Sequence, residues 1–77
     1  MRLKNIRPNF NRLQLGFGDV YFSYEMPIAF QAVSGPLIVR ENEWGPTTGK
    51  HLNYLNGDKK SRISGDKFLD ALRLLQE

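Results

Sequence analysis

Short runs in which apolar and polar residues alternate, cut by turn residues, fill positions 13–41 and constrain this chain more than any other feature. Val20, Phe22 and Tyr24 alternate with Tyr21 and Ser23, the period of a half-buried strand. Leu13, Leu15 and Phe17 alternate with Gln14 and Gly16 in the same way. Ile28, Phe30 and Ala32 lie opposite Gln31, and Leu37-Ile38-Val39 is a near-continuous apolar run before Arg40 and Glu41. Gly18-Asp19 and Ser34-Gly35-Pro36 read as turns. Pro27 marks an edge position, a bulge or a break. Connections this short allow only antiparallel neighbours, because parallel pairing needs a long crossover. The pattern predicts a small curved antiparallel meander of three to five strands.

The carboxy-terminal segment changes period. Phe68, Leu69, Leu72 and Leu75 form a stripe at helical spacing, with Lys67, Asp70 and Arg73 on the polar side. Ser64 suits the N-cap, and Asp66 suits the first turn. A helix over 64–76 is too short to stand alone in water and must pack on the sheet. The expected partner is the face carrying Phe22, Tyr24, Phe30 and Val39, which leaves Tyr21, Ala29, Gln31 and Ile38 on a second, open face. Phe10 and Phe17 are expected to be exposed with them. The fold class is α+β, and 77 residues make a single domain with a small core.

Net charge is +3 and unevenly placed. Residues 1–12 carry Arg2, Lys4, Arg7 and Arg12 and no acid. A smaller knot follows at Lys59, Lys60 and Arg62. Pro8 argues for extended or turn backbone, so residues 1–12 read as a basic arm. Such an arm either contacts phosphates or simply solubilises the chain. No apolar run approaches the roughly 20 residues of a membrane span, and Met1 to Pro8 lacks the apolar core of a secretory signal. The absence of cysteine points to a cytoplasmic setting.

Residues 42–53 are expected to form a polar loop that holds the chain's one tryptophan, Trp44, its one histidine, His51, and both threonines, Thr47 and Thr48. Asn42 and Asn53 stand at its ends, and either can tie the segment to itself. Gly45 and Gly49 can supply positive φ. Residues 50–55 suit two structures. One is a helical turn capped by Thr47 or Thr48 and stopped at Asn56-Gly57-Asp58. The other is a strand turning at Asn56-Gly57, with Lys60 to Ile63 returning. The Asn-Gly pair favours the hairpin.

Several chemistries fail on residue type. Gly45 and Gly49 are separated by three residues, whereas a phosphate-binding loop needs four and a hydroxyl after its lysine; here His51 follows Lys50. One histidine and no cysteine cannot assemble a soft-ligand zinc site. Glu41 with Glu43, and Asp66 with Asp70, read as solvated surface. No cofactor or metal is implied. His51 beside a threonine hydroxyl would be a minimal catalytic dyad, with no nucleophile motif to support it.

Binding fits the residues better. Lys50 and His51 can hold an anion, and Trp44 and Tyr54 offer stacking faces, the mixture used by single-strand nucleic-acid sites. The candidate surface is therefore Trp44, Thr47, Thr48, Lys50, His51, Asn53 and Tyr54, assisted by Arg2, Lys4, Arg7 and Arg12. The bland alternative makes Trp44 a core or rim residue, the threonines local hydrogen bonders and the segment a structural plug.

The run Glu41-Asn42-Glu43-Trp44-Gly45-Pro46-Thr47-Thr48-Gly49-Lys50-His51-Leu52-Asn53, preceded by Ser23-Tyr24 and Pro27-Ile28-Ala29-Phe30, resembles a family of short uncharacterised proteins of bacteriophage and bacterial genomes. The resemblance implies a phage or phage-derived origin and a host cytoplasm during infection, and it assigns no residue a role. The expectation is a non-enzymatic binding module with nucleic acid as first partner. A protein partner or self-association is the first alternative, and a small hydrolase using His51 the second.

Overall fold

The computed structural model describes residues 2–57 and 59–76, with nothing stated of the Lys59 and Gln76 side chains. Met1 of the arm, Asp58 of the expected stop signal and the Lys59 side chain of the basic knot lie outside that description. Five strands form one antiparallel sheet in sequence order: β1 (Arg2–Arg7), β2 (Phe10–Leu15), β3 (Gly18–Ser23), β4 (Met26–Ala32) and β5 (Leu37–Val39). Two helices follow, α1 (Pro46–Leu55) and α2 (Gly65–Gln76), with a short 3-10 turn at Lys59–Ser61 between them. The α+β meander with a carboxy-terminal helix is as the sequence pattern predicts.

The basic arm is the first correction. Arg2–Arg7 is an edge strand paired with β2, and Pro8-Asn9 is the turn that joins them. Asn9 takes the left-handed conformation (φ 61°) that such a turn asks of its second residue, with proline before it. The next turn also moves. Gly16-Phe17 links β2 to β3, because Leu15 pairs with Gly18. Gly18 is needed inside the strand: its φ is +147°, and a Cβ there would run into the Gln31 carbonyl oxygen.

Register sets the two faces of the sheet. Leu3, Leu13, Val20, Phe30 and Ile38 form one cross-strand row. Val20, Phe30 and Ile38 pack against Phe68, Leu72 and Leu75 of α2. The next row, Lys4, Arg12, Tyr21, Ala29 and Val39, points the other way. Val39 therefore turns its back on α2, while Tyr24 sits in the β3–β4 turn. A bulge beside Pro27 puts both Ile28 and Ala29 on this second face.

That face is not open, because α1 lies on it. Phe10, Ile28, Ala29, Val39 and Leu52 form a second core there, with Ile6, Tyr21, Leu37 and Leu55 packed around it. The sheet is thus covered on both sides, and Ile38 belongs to the α2 side. Phe10 is fully buried and Phe17 packs at the α2 core, so neither is the exposed ring that the sequence pattern suggests. Leu69, counted in the α2 stripe, is exposed.

Residues 46–55 are helical, so all but the first four residues of the expected 42–53 loop lie in α1, and no strand returns at 60–63. Ile63 instead makes a single parallel bridge to Arg40, with Glu41 N–H donating to the Ile63 carbonyl at 2.7 Å. The helix wins because Thr48, His51, Leu52 and Leu55 fall on one side of it and meet the sheet. Pro46 opens it at a position where a missing N–H costs nothing. No side chain caps it, and both threonines lie inside the first turn.

Candidate functional site

Four residues of the polar segment do structural work. Thr48 and His51 are buried, and Ser23 Oγ lies 2.9 Å from Thr48 Oγ1 and 2.7 Å from His51 Nδ1. The three groups form one hydrogen-bonded chain, with Ser23 Oγ between Thr48 Oγ1 and His51 Nδ1. The imidazole stacks on Phe10 at 4.7 Å between centroids. Asn42 folds the approach to α1 by accepting the Trp44 N–H at 2.9 Å, an Asx turn. Asn53 accepts from Arg62 at 2.9 Å, and Arg62 also donates to the Asn56 carbonyl at 2.8 Å, closing the end of α1. None of the described glycines in this stretch has positive φ; Gly49 is small because a Cβ would press on the Asn42 amide at 3.1 Å.

The remaining residues face solvent. Lys50 and Thr47 are exposed, and Tyr54 is 54% exposed. Arg7 lies over the Tyr54 ring at 4.7 Å, and Tyr54 meets Phe10 edge-on at 5.5 Å. Lys50 precedes Tyr54 by four residues and so shares its side of the helix. Trp44 is a rim residue, 37% exposed, with the Arg40 guanidinium 4.8 Å over its ring.

Arg40 is the residue that sequence reading passed over. It is buried between the Trp44 and Phe68 rings, donates to Glu43 at 3.1 Å and to the Pro27 carbonyl at 3.3 Å, and occupies the space where a Gly65 side chain would stand. Its only sequence signal is a charge directly following an apolar run.

The four bases of the first twelve residues share one side of the sheet. Arg2, Lys4 and Arg12 lie in the rows that point to the α1 side, and Arg7 reaches Tyr54 on that side. Lys4 stands directly opposite Arg12. Arg12 is 3.6 Å from Asp19, the one acid of these rows. Around the start of α1 lies a cleft of about 340 Å³ walled by Tyr24, Met26, Trp44 and Pro46. A second cleft, of about 370 Å³, is polar and lined by Glu41, Asn42, Gly49, Asn53 and Arg62. Among the described residues no three His, Asp or Glu side chains come together, and no helix is long and apolar enough to cross a membrane.

A family model described as a family of unknown function (DUF8033) matches residues 1–71. The chain belongs to that family. No curated protein and no solved structure matches it. The DUF8033 match takes in every candidate residue from Arg2 to Tyr54, so the basic strands, α1 and the aromatic cleft all belong to the matched unit.

His51 should make the stability of this DUF8033 chain depend on pH. Burial first, and then the Arg7 charge, hold its pKa below the ordinary 6.5. The unfolded chain therefore takes up a proton at a pH where the folded one does not. Stability from this group is complete above the ordinary value and declines as pH falls towards the lowered one. Thermal melts are expected to drop as pH falls below the ordinary histidine value, and His51→Gln is expected to flatten that drop. An equal slope in both proteins would remove His51 as its cause.

Proposed function

We propose that this domain is a small non-enzymatic binding module whose partner is nucleic acid. The observation that carries the reading is that Arg2, Lys4, Arg7 and Arg12 share one side of a two-strand edge, with Arg7 over the exposed Tyr54 ring. Like charges directly opposite across strands cost stability, yet Lys4 faces Arg12. A run of cations beside an exposed ring is how sequence-tolerant sites hold a phosphate backbone. Self-association through the free edge of β1 is disfavoured, since it would set bases against bases. The setting we propose is the cytoplasm, that of a bacterial host if the chain has the phage origin its 41–53 run implies.

Salt titration tests this. Four or five phosphate contacts to a single strand give a log–log slope of about −3. Anisotropy of a labelled oligonucleotide, read across a salt series, should return a value near it. A slope near zero, or no binding at low salt, would end the proposal and leave a protein partner as the better reading.

A second reading attaches to one contact. Ser23 is 2.7 Å from His51 and lines the apolar cleft, the placing of a nucleophile and its base. Ser23 is only 2% exposed, and its other partner is Thr48 rather than an acid. Labelling of Ser23 by a fluorophosphonate would favour a hydrolase over the binding module.

A further inference from the structure

We infer that the cleft at the start of α1 seats an unpaired nucleobase between Tyr24 and Trp44, so that the partner of the basic face is single-stranded. This rests on the nucleic-acid reading above and adds to it the kind of strand and the place where a base is held.

The cleft has the right chemistry for a flat, neutral ring. Its volume is about 340 Å³, its walls are Tyr24, Met26, Trp44 and Pro46, and no charged side chain lines it. A phosphate has no counter-charge there, and Glu25 stands beside Tyr24 in the same turn. An uncharged heterocycle finds two aromatic faces, a thioether and a proline ring. Thr47 adds an exposed hydroxyl that can meet a base edge. A paired duplex keeps its bases stacked inside and has nothing to insert.

Tyr24 stands on costly backbone, and Trp44 is anchored at its backbone and at its ring. Tyr24 is in the left-handed conformation, φ 57°, in the two-residue turn between Ser23 and Met26. That conformation is cheap for Gly or Asn and costly for tyrosine. The chain nevertheless keeps a half-exposed tyrosine there, at the wall of the cleft. Trp44 is pinned by the Asn42 side chain through its backbone N–H and by Arg40 over its ring. With the guanidinium on one face, the indole has one face left to offer.

The cleft also connects to the cations. Tyr24 lies 6.5 Å from His51, His51 stacks on Phe10 at 4.7 Å, and Phe10 meets Tyr54 at 5.5 Å. Arg7 closes the series over Tyr54. At the surface Tyr24 N–H donates to the Asn9 carbonyl at 2.7 Å, two residues from Arg7, so a strand whose phosphates run along Arg2, Lys4 and Arg7 comes to the cleft wall at that turn.

Trp44 is the chain's one tryptophan, so its fluorescence reports the cleft alone. The probe is an oligothymidine of about 20 nucleotides, longer than the 4–16 nucleotides such sites cover, used alone and annealed to its complement. The single strand is expected to quench Trp44 with the same midpoint that anisotropy gives, and the duplex to bind more weakly without quenching. Tyr24→Asn removes the ring but suits the turn. It is expected to melt no lower than the parent while its affinity for the single strand falls roughly 5- to 150-fold, the worth of one stacked base. Salt-dependent binding without quenching, equal for single strand and duplex, would overturn the cleft and leave the basic face standing. Quenching that survives Tyr24→Asn with unchanged affinity would overturn Tyr24 as a wall of the site. No binding of either probe at low salt would overturn the nucleic-acid reading itself.

Discussion

Phe10→Ala is expected to remove most of the domain's stability. Phe10 is fully buried at the meeting point of β2, β3 and α1. Its ring contacts Tyr21 at 6.5 Å, His51 at 4.7 Å and Tyr54 at 5.5 Å. Truncating a buried phenylalanine costs about 3–5 kcal/mol, part in lost transfer energy and part in the cavity left behind. A chain of this length holds roughly 4–12 kcal/mol in all. In a domain of this size each kcal/mol moves the melting temperature by roughly 4–8 °C. Urea titration and thermal melting followed by circular dichroism should both register the loss, and the His51 pKa should move up towards its ordinary value as its cover goes. Leu74→Ala is the control: Leu74 is 68% exposed and should change stability by no more than about 0.5 kcal/mol. A Phe10→Ala loss below about 1 kcal/mol would mean that α1 does not pack on the sheet as described.

The burial of Phe10 shows where sequence reading succeeds and where it stops. Strand β3 and helix α2 were legible because their inward residues are large and apolar and recur at one clear period, whereas the bulge beside Pro27 breaks the period of β4 and sends Ile28 to the side away from Phe30. Phe22, Phe30, Phe68 and Leu72 name their own face. Strand β1 was not legible. Its inward and outward positions, Arg2, Leu3, Lys4 and Asn5, are all exposed, so no face differs from the other. An edge strand of that kind is read as an arm until its partner is seen. Without β1, Phe10 had no sheet to belong to and was counted as surface.

Helix α1 failed for a different reason. Its buried stripe is Thr48, His51, Leu52 and Leu55, spaced at three, four and seven residues. Two of the four are polar, and a reading that equates polar with outward loses the period. They can be buried because Ser23, on the sheet below, satisfies both. That partner is more than twenty residues away in the chain, and no local pattern announces it. Gly18 misled in the same way. It was taken as a turn signal, whereas the close approach of β4 to its backbone is what requires it. The candidate site divides accordingly. Thr48, His51 and Asn53 went to structure, while Lys50, Tyr54, Trp44 and the four early bases stayed at the surface.

Reversing the charge of β1 separates function from stability. In the double variant Arg2→Glu, Lys4→Glu, affinity for a single-stranded oligonucleotide is expected to fall about a hundredfold or more at low salt, because two attractions to phosphate become repulsions. The log–log salt slope should shrink by about 1.4, the share of two contacts. Stability should move the other way. Lys4 faces Arg12 across the strands, so an acid in its place turns a repulsive pair into an attractive one. Such a pair is worth about 0.2–1 kcal/mol. A loss of binding through misfolding would lower the melting temperature along with the affinity, whereas a binding surface lets the first rise as the second falls. If affinity and slope both stay at their original values, the cations of β1 touch no phosphate, and the like-charge pair across the edge is left to keep strands of neighbouring molecules apart.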